Sequence, residues 1–264
     1  MSYAGIVLLK IPTRSVALVA VFASLYYVLS LVSPYVPAVG LPLLQIKLEA
    51  LMASVFGLVL GPYLGGAAAL LGALLAWALP PTALNPYSTP FLLSPPLNAV
   101  VVGLVFYRKP KWASALFGTL IIAFLFLPPS QPLTQYYYVS AAVLWDKIIA
   151  LLLILPIVLI GPKLAQAKSS TLHVKMFAFY LLLCFVGNQA DNMWGSDIFA
   201  VPSVYTMFGL PDASAVRVLF ILSPFVYPAI RLLQAIVAAV IAVPIMNAIR
   251  NTGWTISEKS IVDQ

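Results

Sequence analysis

The stretch LPLLQIKLEALMASVFGLVLGPYLGGAAALLGALLAW, Leu41 to Trp77, decides the fold class. Its only charges are Lys47 and Glu49. Two apolar segments, 47–60 and 62–79, meet at Gly61-Pro62 and run on through Gly65-Gly66. A Gly-Pro junction without charge is a tight turn. It makes the two segments either a helical hairpin or one broken helix inside a bundle. Gly65, Ala69 and Ala73 follow at four-residue spacing, which lets helix backbones approach closely in a membrane.

The rest of the chain agrees with that stretch. Of 264 residues, 62% are hydrophobic and 8% charged. A soluble domain carries about 25% charged residues. So few charges cannot clothe a globule in water, and a disordered chain would lack the hydrophobicity. A soluble enzyme is excluded, and a polytopic all-α membrane bundle is expected. Eight apolar segments are read, at 15–33, 47–60, 62–79, 93–107, 112–127, 138–161, 174–190 and 222–249. They form one integral membrane domain over 1–264, embedded over about 15–250, with a polar tail at 251–264.

With eight spans the termini share a side. That side holds Lys10, Arg14, Arg108, Lys109, Lys111, Lys163, Lys168, Lys175, Arg250 and Lys259, ten of the fourteen basic residues. The positive-inside rule then puts both termini in the cytoplasm of a multi-pass cell-membrane protein. The same rule accounts for the net charge of +7, so no nucleic acid is expected as a partner. The start MSYAGIVLLK lacks the charged n-region and cleavage site of a signal peptide.

No catalytic chemistry is legible. One histidine, His173, and one cysteine, Cys184, cannot build a zinc or haem site of known type. GxxxxGK[ST], GxSxG and HExxH are all missing from the sequence. Neither a cofactor nor a metal is expected, and the chain is read as a non-enzyme.

Functional residues are sought on the other face. It holds Lys47, Glu49, Asp146, Lys147, Asp191, Asp197, Asp212, Arg217 and Arg231, five acids and four bases, with most loop Asn, Gln, Tyr and Trp residues. Asp146, next to Trp145, and Arg231 lie within spans, at a depth of about 12 Å. An ionised group there costs at least ~2.5 kcal/mol unless paired or wetted. The expectation is that Asp146 and Arg231 face one cavity with Gln234, three residues below Arg231 on the same helix face. The alternative is an interhelical ion pair that only fixes packing. Lys147 is assigned another direction, since helix neighbours point about 100° apart. In GNQADNMWGSD, 187–197, Asn188 and Asp191 are read as cavity-facing, and Trp194 as a stacking or belt residue. Asp197 and Asp212 are read as solvated loop charges. The uncharged loop SPYVPAVGLPLLQI, 33–46, with Tyr35 and Gln45, is expected to cap the mouth or lie in the interface. The segment 198–210 is read as a second cap or an interfacial loop. Ala17, Ala20 and Ser24 on the first span either pack internally or, if left uncovered, dock a partner.

The 41–77 stretch resembles the second and third helices of substrate-binding S components of energy-coupling factor (ECF) vitamin transporters. The similar features are an apolar loop, Lys47 opening the second helix, and the turn Gly57, Gly61, Pro62, Gly65. The small-residue stripe Ala17, Ala20, Ser24 and the last helix, PAIRLLQAIVAAVIAVPIMNAIR, are similar too. The resemblance covers roughly the first 130 and last 30 residues. It implies a six-helix core, here with two additional spans, and a pocket near the outer face gated by the loop after the first helix. It also implies a membrane coupling subunit and cytoplasmic ATPases as separate chains. The metal-transporting branch has an N-terminal His ligand; this chain begins MSYAG, so a transition-metal substrate is disfavoured.

The expected function is therefore capture of a small vitamin-like or heterocyclic nutrient from outside, for ATP-driven uptake by partner subunits. The competing readings are a structural or assembly subunit, a membrane-embedded enzyme and a stand-alone proton-coupled carrier.

Overall fold

The computed structural model describes residues 12–32, 35–81, 83–165 and 172–252. Helix α1 (Thr13–Val32) leads into a hairpin of β1 (Tyr35–Ala38) and β2 (Leu41–Lys47). Then come α2 (Met52–Ala78), α3 (Ser94–Phe106), α4 (Pro110–Phe124), α5 (Leu133–Ala165) and α6 (Leu172–Phe199). Two shorter helices, α7 (Pro202–Tyr205) and α8 (Ala213–Leu222), precede α9 (Val226–Thr252). The fold is an all-α membrane bundle with one small hairpin. The tail expected at 251–264 falls outside the described residues except for 251–252, which are helical.

Helix α2 is two helices joined at a reversal. Gly61 has φ 83° and ψ 177°, a conformation essentially confined to glycine. Pro62 has no N–H to give to Leu58, four residues back. The orphaned Leu58 carbonyl accepts from the Tyr107 hydroxyl at 2.9 Å instead. A straight helix would separate residues 56 and 65 by about 13.5 Å. Yet a Cβ built on Gly65 would lie 2.6 Å from the Phe56 carbonyl oxygen. The chain doubles back, so 47–60 and 62–79 form a helical hairpin. Gly57 presses on the Ala99 backbone and Gly103 on Pro62, so α3 packs against both limbs at backbone contact.

The contacts sort the chain into two ends. At one, Gly61 and Pro62 meet Gly103, and Lys109 lies over the Tyr63 ring at 5.6 Å. This is the basic end, with Arg108 and Lys109 between α3 and α4 and Lys111 in the first turn of α4. At the other, the Tyr27 hydroxyl donates to the Pro80 carbonyl and Trp77 Nε1 to that of Asn85. There too Arg217 donates to the carbonyls of Pro128, Pro129 and Gln131 and stacks on Tyr136 at 3.4 Å.

Among the described residues five helical segments are long and apolar enough to cross a membrane, the two limbs of α2 taken together as one, or six if the pair 202–208 and 213–222, bent by 75°, counts as one. The eight expected spans are fewer for three reasons. The limb 52–60 is short, α4 has only 15 residues, and α6 carries charge within its length. Outward faces of the long helices are apolar, as at Leu152, Leu155, Leu159 and Val240, and suit lipid.

Candidate functional site

Between the β-hairpin and the helices lies a cavity with about 200 Å³ of free space. Its walls come from the hairpin residues Ala38, Val39, Ile46 and Lys47, and from α2, the 85–95 segment, α6, α8 and α9. The hairpin meets α9 at two points. Tyr227 of α9 lies against the Val39 backbone. The Lys47 carbonyl accepts from Gln234 Nε2 at 3.3 Å. At the tip, Gly40 has φ 72° and abuts Leu219 of α8. The described part of the cap expected at 33–46, residues 35–46, is thus a two-stranded hairpin that contributes to one cavity wall. The side chains of Tyr35 and Gln45 lie outside the described ones.

Four charged residues line the cavity: Lys47, Glu49, Asp191 and Arg231. Arg231 Nη2 is 3.2 Å from Asp191 Oδ1, and both side chains are nearly sealed from solvent. Arg231 Nη1 also donates to Gln234 Oε1 at 2.9 Å. The helical spacing that stacks 231 over 234 therefore holds the guanidinium in place. Lys47 Nζ is 4.0 Å from Glu49 Oε1. Buried charges persist when paired and hydrogen-bonded.

Polar side chains and aromatic rings complete the wall. Asn192, Ser196 and Ser223 contribute the former; Tyr26, Trp77, Tyr87, Phe91, Phe199 and Phe220 are among the latter. Asp191 Oδ2, Arg231 Nε and Asn192 Nδ2 are buried without a hydrogen-bond partner among the described residues. Gly195 also lines the cavity, and a Cβ there would meet nothing within 4 Å.

Of the residues expected from sequence, Lys47, Asp191 and Arg231 form this wall, and Gln234 braces Arg231 behind it. Asp146 does not meet Arg231. It lies outside the wall, with its Oδ1 2.9 Å and Oδ2 3.1 Å from Lys147 Nζ. The argument that Lys147 points elsewhere fails because 100° separates Cβ directions only. A four-carbon stem curls back readily, and Asp146 turns toward it, accepting the Lys147 backbone N–H at 3.0 Å. Trp145 lies outside the wall as well; its Nε1 donates to the Pro224 carbonyl and its ring faces Phe225.

Asn188 is tied into packing. Ser54 Oγ donates to Asn98 Oδ1 at 2.7 Å, Asn98 Nδ2 to Asn188 Oδ1 at 3.5 Å, and Asn188 Nδ2 to the Cys184 carbonyl at 2.8 Å. Gly187 presses on Asn98, which fixes α6 against α3. Trp194 is half-buried outside the wall, its Nε1 unpartnered among the described residues. Asp197 is buried rather than solvated, because α6 continues to Phe199. Asp212 is exposed and caps α8, accepting from the Ser214 and Ala215 amides.

Ala17, Ala20 and Ser24 face outward from the bundle. Ala20 and Ser24 line a shallow groove with Ala23, Leu71, Leu74, Leu75 and Ala78. Among the described residues no group of three or more His, Cys, Asp or Glu side chains is placed to hold a metal ion.

Sequence reading missed Glu49, Asn192, Gly195 and the aromatic collar. Glu49 carried a signal: it and Lys47 are the only charges of the 41–77 stretch, and a buried charge needs a partner. The collar carried none, because membrane-facing and cavity-facing aromatics look alike in sequence. No protein-family model matches the chain, nor does any curated protein or solved structure.

Proposed function

We propose that this chain is the membrane-embedded binding component of an importer of the energy-coupling-factor type. It takes a small, partly aromatic nutrient into the cavity beneath the β-hairpin. The observation that carries the reading is that cavity. It lies at the end away from the basic loops and is roofed by a hairpin tied to α9 through the bond from Gln234 to the Lys47 carbonyl. Its wall holds a buried ion pair and an aromatic collar. Packing alone gives no reason to leave such a space lined with charge.

In this reading the basic end faces the cytoplasm with both termini, by the positive-inside rule. The hairpin gates the outer mouth. The outward stripe Ala17, Ala20, Ser24 docks a coupling subunit, and separate ATPases supply energy that a chain without a P-loop cannot. Native mass spectrometry of the protein released gently from its own membranes tests this. The expected result is a retained small molecule, with a membrane subunit and ATPases co-purifying. A ligand-free chain fixed in a complex with unrelated membrane subunits would refute it in favour of an assembly role.

A further inference from the structure

We infer that the cavity takes a ligand that is neutral overall: a planar aromatic or heteroaromatic molecule presenting an amide edge, one N–H beside one carbonyl. The inference deepens the binding role proposed above and rests on it.

The first argument is charge. The charged wall residues are Lys47, Glu49, Asp191 and Arg231, two of each sign, already associated as two pairs. The wall sums to zero. An anion or a cation added to such a wall would leave the site with one uncompensated buried charge, which is strongly destabilising. A neutral ligand leaves both pairs whole.

The second argument is the unused hydrogen-bonding capacity of an intact pair. Within it, Asp191 Oδ2 still lacks a donor and Arg231 Nε an acceptor. Asn192 Nδ2, on the next residue of α6, lacks an acceptor too. The wall thus offers an acceptor at Oδ2 and donors at Nε and Nδ2, three atoms that an edge with one N–H beside one carbonyl can meet, since the carbonyl oxygen has two lone pairs. Bonds to ionised partners are about twice as strong as neutral ones. A neutral edge therefore gains affinity from the ion pair without breaking it.

The third argument is shape. The rings of Trp77, Tyr87, Phe91, Phe199 and Phe220 surround about 200 Å³, room for one flat bicyclic body rather than an extended chain.

The test uses three near-isosteric probes on the full chain in lipid nanodiscs: 2-naphthamide, 2-naphthoate and 2-naphthamidine. They share one aromatic body and differ in a neutral amide, a carboxylate and a cationic amidine. Affinities are read by equilibrium dialysis. The expected result is that 2-naphthamide binds at least about tenfold more tightly than either ion. Asp191→Asn should move the preference toward 2-naphthoate, and Arg231→Gln toward 2-naphthamidine, as each leaves one net charge in the wall. Tighter binding of either ion to the wild-type chain overturns the inference and leaves the binding role standing. Binding of no probe also overturns it. The binding role itself then stands or falls on whether partners and a ligand co-purify. If a variant does not fold, the ranking of the three probes on the wild-type chain decides alone.

Discussion

Separating Asp191 from Arg231 gives the sharpest test of the buried wall. At 3.2 Å, two unit charges attract by about 5 kcal/mol at an effective dielectric of ~20. Folding has already stripped both of water, so truncating one leaves the other buried alone, at a cost of about 3–5 kcal/mol. Asp191→Asn and Arg231→Gln should each cost that much. The double variant keeps a polar side chain at both positions but buries no unpaired charge. It should cost less than the sum of the singles by about 2 kcal/mol or more. The assay is equilibrium unfolding in mixed detergent micelles, followed by tryptophan fluorescence, on the wild type, both singles and the double. Single costs that add to within about 0.5 kcal/mol would mean the two side chains do not interact, and the argument from a neutral wall would fall with them.

Four further outcomes follow from particular positions. Gly195→Leu should project into open cavity, abolish ligand retention in native mass spectrometry and leave unfolding stability unchanged or raised by up to about 1 kcal/mol. Gly61→Ala should cost about 1–3 kcal/mol in micelle unfolding, because φ 83° with ψ 177° strains any residue with a Cβ. Gly187→Ala should cost a similar ~1–3 kcal/mol, since its methyl would collide with Asn98 and Val102 and disturb the Ser54–Asn98 bond. Hydrogen bonds from the Ser214 hydroxyl and from the Ala215 and Ser214 amides hold the exposed Asp212 carboxyl below its usual range. Its capping contribution should be complete above the unfolded value of ~3.9 and lost as pH falls through the lower folded value. The stability difference between wild type and Asp212→Ala, followed by unfolding at stepped pH, should be flat near neutrality and shrink in acid.

Much of the architecture follows from short-range chemistry. Gly61-Pro62 forces a break because proline removes one bond of the helical ladder and glycine alone accepts the backbone angles beyond it. The small residues at 57, 65, 66 and 103 permit backbone contact whatever their partners turn out to be. The span count was less legible. Hydropathy responds to composition, and α6 carries Asp191 paired with Arg231 of α9 rather than avoiding charge. Asp146 shows the same limit from the other side. Its depth was legible, but its partner was the adjacent Lys147, a choice made by side-chain flexibility rather than by spacing.

The sequence by itself determined a membrane bundle, a break at Gly61-Pro62, a basic end, and the need for deep charges to find partners. Each depends on transfer energies and local backbone geometry, which a residue carries wherever it lies. Only the tertiary structure decided that Arg231 meets Asp191 across α6 and α9, 40 residues apart. It alone brought Glu49, Asn192 and the aromatic collar to one cavity, and made the 35–47 loop a hairpin roofing it. Those choices depend on which helices pack together and how each is rotated. That rotation is set jointly by close backbone contacts such as Gly187 on Asn98, and no window of sequence contains both partners.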